Sequence, residues 1–304
     1  MTTNSAPDNM FDIPDEFDDA LGNPLVEGAI RLPFFTPFIW ATNGQKINKA
    51  IAKENPAMYF GGWTMRDDDM AQMAEYYNDG AVLPSWISQV MEGDGGEFTV
   101  FMKRQIYVAL IGGRQRWEKN NPDDPNEKAR SHYQALCFLA GRPKDEKGIA
   151  YFKPYGPVVL TVRGFQAQNL RQAFMDCEMR TRIARKQSMP NKPNGAHISM
   201  FYFNFGNFGD QPDFKLVGKT EGKQSTITPI SLNLPTDVKE ITVDLLKQSF
   251  VGRDIAEEVI DYRKRADEWL NAWKNDKAEV EKPEAIPQES EVNPVDRDFP
   301  PSED

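Results

Sequence analysis

Four stretches with strand patterning follow one another between Glu97 and Arg163, and no amphipathic helix separates them. This succession limits the fold more than any other feature of the chain. Residues 97–102 place Phe98, Val100 and Met102 on one face, and residues 105–111 alternate Ile106, Val108 and Leu110. Gly112-Gly113 is expected to end that second strand, while residues 132–139 and 157–163 supply two more. Further strands are expected at 197–204, 214–217 and 225–232. Strands that do not alternate with helices exclude a parallel α/β design. The expectation is an α+β domain around an antiparallel barrel, with helices inserted into it and one appended.

Helical spacing marks the insertions. In residues 165–186, Leu170, Ala173, Phe174, Cys177 and Ala184 share one side, with Gln168, Arg171, Gln172, Arg182, Arg185 and Lys186 opposite. Residues 65–77 form a second helix with Asp67, Asp68 and Asp69 in its first turn, and 45–53 a short third. A C-terminal helix carries Ile255, Val259, Tyr262, Ala266, Trp269 and Trp273. Pro33 and Pro37 interrupt the aromatic stretch 29–40, which confines it to a sheet edge or an extended approach.

The net charge of −10 is unevenly distributed. Residues 1–28 hold seven acids and no Lys or Arg, and residues 275–304 hold ten acids against three bases. The body between them holds 33 bases and 29 acids, so a body of +4 lies between two segments of −7. Both ends are poor in large apolar residues and are expected to be disordered. This divides the chain into an acidic segment 1–28, a β-rich body 29–234, a helical element 235–274 and an acidic tail 275–304. No run of apolar residues is long enough for a membrane-spanning helix, and the opening residues, without a basic start or an apolar stretch, are not expected to be a secretory signal. With Cys137 and Cys177 as its only cysteines, the expected location is a reducing cytoplasm, that of a bacterium or a phage-infected host.

Catalytic patterns are missing. The chain contains no GxSxG or Walker A sequence, and Gly61-Gly62 and Gly93-Asp-Gly-Gly96 are turn glycines. His132, His197, Cys137 and Cys177 match no zinc-finger spacing, and no CxxC occurs. The expectation is therefore a protein without cofactor or metal that is not an enzyme. A metal-dependent hydrolase or nuclease using Asp67, Asp68 and Asp69 is the weakest of three readings; acids at a helix start ordinarily answer the helix dipole.

Single-strand binders need cations for phosphates and exposed rings on which bases stack. Residues 163–192 hold seven bases and two acids. Lys103, Arg104, Arg114, Arg116, Arg163, Arg171, Arg182, Arg185 and Lys186 are the candidate phosphate contacts. Trp40, Tyr59, Phe60, Trp63, Trp117 and Tyr202 are the candidate stacking residues. Phe201, Phe203 and Phe205 alternate and belong to the core, which leaves Tyr202 on the other face.

A basic, aromatic, β-rich body ahead of an acidic tail resembles the prokaryotic and bacteriophage single-stranded DNA-binding proteins. The resemblance is architectural and covers residues 29–234 and 275–304. It implies an OB-like barrel that binds single-stranded DNA without sequence specificity, in replication or recombination. It also implies a tail that competes for the groove and recruits replication or recombination proteins. Asp296, Asp298, Phe299, Glu303 and Asp304 are the candidate partner contacts, although Phe299 is not terminal, as family tails commonly are. The alternative is a protein–protein or virion assembly module without nucleic acid. It would add the aromatic edge 34–40 to a partner sheet and form a homo-oligomer through the helix 255–273.

Overall fold

A computed structural model describes residues 31–44, 61–76, 86–93, 96–119, 128–188, 198–206, 215–217, 225–235 and 239–274. The expected helix at 45–53, the stacking candidates Tyr59 and Phe60, His197 and both acidic ends lie outside the described residues. Eleven strands are described: β1 (Phe38–Asn43), β2 (Gly61–Arg66), β3 (Ile87–Gly93), β4 (Gly96–Lys103), β5 (Gln105–Glu118), β6 (Arg130–Gly141), β7 (Lys153–Arg163), β8 (Phe203–Gly206), β9 (Lys215–Val217), β10 (Ser225–Ile227) and β11 (Ser231–Asn233). The helices are α1 (Asp67–Tyr76), α2 (Phe165–Ser188), α3 (Val243–Ser249), α4 (Arg253–Arg265) and α5 (Asp267–Asn271).

The α+β class agrees with the sequence, but the sheet is mixed and runs in an open order. Nine strands are arranged β11-β8-β5-β6-β7-β1-β2-β4-β3, and β9 and β10 pair separately. All neighbours are antiparallel except β1 and β7. The parallel pairing starts at Pro37, whose carbonyl accepts from Val159 N at 3.0 Å. The strand then continues as Phe38-Ile-Trp-Ala-Thr-Asn43, free of proline. β1 is therefore central, with β7 on one side and β2 on the other; of the two expectations for 29–40 the sheet edge fails, while residues 31–37 lead into the sheet without being a strand of it. Its residues divide between the faces, with Ile39 and Ala41 on one and Phe38 on the other, as in strands buried on both sides.

Gly112-Gly113 does not end its strand. β5 runs on to Glu118 through a bulge between Leu110 and Gly112. The bulge switches the face of the residues beyond it, so Gly112, Arg114 and Arg116 lie opposite Leu136, Gln134 and His132. Glycine at 112 leaves room for the helices above it: a Cβ there would meet the tip of the Arg263 side chain and lie 3.0 Å from Leu270. Similarly, Gly61-Gly62 opens β2 and does not form an exposed loop.

Helices cover both faces of the sheet. On one, α2 buries Leu170, Ala173, Phe174, Cys177 and Ala184 against Tyr133, Ala135, Cys137, Val158 and Leu160, the stripe expected from helical spacing. Each fully buried side chain of this kind contributes roughly 1.5–3 kcal/mol. On the other face, α4 and α5 pack Val259, Ala266, Trp269 and Leu270 onto Leu136, Phe138 and Val159. Phe34 is also used within the chain, with its ring 4.7 Å from that of Tyr262. Among the described residues no helix is long and apolar enough to cross a membrane.

Candidate nucleic-acid interface

The candidate residues fall into four groups. Two of the stacking candidates are core residues. Trp63 is fully buried, and its Nε1 donates to Phe205 O at 2.9 Å, tying β2 to β8. Tyr202 does face away from Phe201, Phe203 and Phe205, but α4 covers that face and leaves the residue 2% exposed. Neither ring can take a base. Trp40 and Trp117 are half-buried; Trp40 packs over Val100 and Met102.

The second group fills the far end of β5. Arg114 donates through Nε and Nη2 to Gln134 Oε1, at 2.9 and 2.6 Å, and through Nη1 to Trp269 O at 3.1 Å. Its guanidinium lies 3.7 Å over the Trp269 ring and 4.1 Å over that of Trp273. Burial, with Arg116 adding to it, pushes its pKa down to about 9. Beside it, Arg116 and Arg163 both reach Glu118, at 2.6 and 3.0 Å. His132 Nδ1 lies 2.6 Å from the same carboxylate, and its Nε2 is 2.9 Å from Thr161 Oγ1. Burial lowers the His132 pKa against the pull of Glu118. Burial works to raise that of Glu118, but His132, Arg116 and Arg163 outweigh it and the pKa falls. The charges of this cluster answer one another, so Arg114 belongs to the fold and Arg116 and Arg163 serve Glu118 before any phosphate.

The third group is the outer face of α2. Arg171, Arg182 and Lys186 are exposed there and Arg185 is half-buried; Arg182 pairs with Glu178 one turn back at 2.5 Å. The expected basic face therefore exists, but Met175, Met179 and Ile183 run along it, each about half exposed.

The fourth group lies at the corner where β4 passes into β5, roughly 40 Å along β5 from Glu118. Lys103 is half-buried, with its pKa lowered by burial. Arg104 lines a cleft of about 560 Å³ together with Tyr107, Arg142, Phe152, Tyr202 and Asn204. The Arg142 guanidinium sits 5.5 Å from the Tyr107 ring and 5.4 Å from the Phe152 ring, and Nη1 donates to Tyr107 Oη at 3.3 Å. The Tyr107 and Phe152 rings meet edge to face at 5.3 Å, and Phe152 lies 5.0 Å from Tyr202. Sequence reasoning found Arg104 and Tyr202 here but missed Tyr107, Arg142, Phe152 and Asn204. They come from β5, the β6–β7 connection and β8, and no local spacing links them.

Among the described residues no His, Cys, Asp or Glu cluster has the arrangement of a metal site. Cys137 and Cys177 are buried thiols whose pKa values burial raises. Asp69 is pushed up to about 6 by burial, against the opposing charge of Arg66. At the β4–β5 corner, cations and aromatic rings come together on a cleft. No family model matches the chain, and no curated protein or solved structure is similar to it.

Proposed function

We propose that this chain binds single-stranded DNA through the β4–β5 corner, in replication or recombination, and that it acts by binding and not by catalysis. The observation that carries the reading is the cleft in which Arg104 and Arg142 stand beside the rings of Tyr107 and Phe152. Guanidinium groups for phosphates next to aromatic faces for bases are what single-strand binding needs. Arg171, Arg182 and Lys186 of α2 are further exposed cations, on a helix that packs on the opposite face of the sheet from Tyr107, Phe152 and Tyr202.

Strand connectivity supports an OB-like body within the open sheet. The run Gly96–Glu118, broken only at Arg104, borders β2 with its first half and β6 with its second. The path β5-β6-β7-β1-β2-β4 thus returns to the run where it began, and α2 follows directly on β7. OB-like bodies host oligonucleotides on their strands and loops. On this reading the acidic tail 275–304 competes for the basic surface and engages partner proteins, in the cytoplasm of a bacterium or of a phage-infected cell.

The test is fluorescence anisotropy of a labelled single-stranded oligonucleotide over a salt series. Affinity that falls steeply with salt is expected, because each phosphate contact releases counterions. No binding at low salt would overturn the reading. The second reading, a protein-assembly module, is favoured by the Met175, Met179 and Ile183 stripe on α2. The surfaces first considered for it, 34–40 and 255–273, pack within the chain.

A further inference from the structure

We propose that the acidic tail 275–304 docks on the outer face of α2 of its own chain, where it covers the exposed cations of that helix. Met175, Met179 and Ile183 follow one another four residues apart and form one row along α2, each about half exposed. Single exposed apolar residues are ordinary, but a row on one helix face marks an interaction site, and methionine adapts to irregular partners. Charge accompanies the row. α2 holds five bases against Asp176 and Glu178, and Arg171, Arg180, Arg182 and Lys186 are exposed.

That charge selects the occupant. A second copy would set one positive surplus against another, whereas an acidic segment with apolar side chains matches both features. The tail holds ten acids against three bases, and Val292, Val295 and Phe299 fall among Glu289, Glu291, Asp296 and Asp298. The row covers about 12 Å of helix, and eight residues of chain reach up to roughly 26 Å. The point of departure also favours the tail over the other acidic segment, residues 1–28. Trp273 is held under the guanidinium groups of Arg114 and Arg116, at 4.1 and 4.6 Å, and its ring lies 5.1 Å from that of His132. His132 pairs in register with Arg163, two residues before α2 begins. The tail therefore leaves the body at the end of the sheet where α2 starts. The row begins roughly 15 Å along the helix from there, and residues 275–291 can span up to roughly 55 Å. Residues 1–28 instead lead to Leu32 and Phe34, which pack beside Tyr262 on the face opposite α2.

The test uses the full chain. Cys137 and Cys177 are buried, so a cysteine introduced by Ser302→Cys carries a nitroxide, and the methionine methyl groups carry carbon-13 for magnetic resonance. Loss of the Met175 and Met179 methyl signals at low salt is expected, with partial return at about 1 M salt, where screening cuts the reach of charge to ~3 Å. Val295→Ser combined with Phe299→Ser should restore both signals, and Met179→Glu should restore that of Met175. Signals untouched by the nitroxide would overturn the proposal. Loss of equal depth with nitroxide and methyl labels on separate, mixed chains would overturn it too, by placing the tail on a second copy. Loss from a nitroxide at Ser5→Cys, with none from Ser302→Cys, would give the surface to residues 1–28 instead. Oligonucleotide binding is read separately: failure of this contact leaves the single-strand reading standing, and absence of strand binding leaves the contact standing.

Discussion

Glu118 answers three partners at once, since Arg116, Arg163 and His132 all converge on its carboxylate. Removing that charge leaves two guanidinium groups uncompensated in a site only partly open to water. Glu118→Gln is therefore expected to destabilise the fold by about 1–3 kcal/mol, read from urea unfolding. The pH dependence follows from both lowered pKa values. Glu118 contributes stability above its unfolded pKa and loses it as pH falls through the folded one. His132 protonates more readily unfolded than folded, so it too costs stability as pH drops below the ordinary histidine range. Asp69 acts in the opposite direction. Its folded carboxyl keeps a proton up to about pH 6, whereas unfolded it gives one up near 3.8, so stability falls as pH rises across that window. Asp69→Asn should flatten that fall and stabilise the protein at pH 7 by about 1–3 kcal/mol. An unchanged stability profile in the variant would contradict the burial argument.

At the scale of elements, the helical stripes and the alternation in β4 and β5 were legible because their periods are local. The stripe of α2 can be tested on both sides. Phe174→Ala should cost about 3–5 kcal/mol, while Met179→Lys, on the exposed side, should stay within about 0.5 kcal/mol. Comparable losses at both positions would mean that the helix faces otherwise. The Gly112-Gly113 pair was not legible: a glycine that ends a strand and one that makes room for a helix look alike in sequence. Only the packing of Arg263 and Leu270 over Gly112 distinguishes them. Gly112→Ala should accordingly lower stability by about 1–3 kcal/mol, seen as a fall in Tm, because Leu270 and the Arg263 guanidinium, which donates to Ile111 O, must move aside. The same difficulty affects Trp63 and Arg114, read as exposed because glycines or cations stand beside them. Burial by β8 in one case and by α5 in the other depends on residues more than a hundred positions away.

For the whole molecule, the α+β class followed from the order of strands and helices, but the mixed, open sheet did not. The parallel pairing of β1 with β7 joins residues about 120 apart, and periodicity carries no information about such a pairing. The candidate site was half legible for a similar reason. Arg104 stood out beside a strand end, whereas Arg142, Phe152 and Asn204 reach it only through the fold. The separation of a +4 body from −7 ends is a property of the whole chain, and it predicts that deleting residues 275–304 tightens oligonucleotide binding at low salt. Unchanged or weaker binding by the truncated protein would count against tail competition. The most direct measurement is ultraviolet cross-linking of a single-stranded oligonucleotide to the full chain, with the linked peptides identified by mass spectrometry. Cross-links at residues 104–107 and 142–152 are the expected result; strand binding whose cross-links avoid both segments would contradict the assignment of the β4–β5 corner.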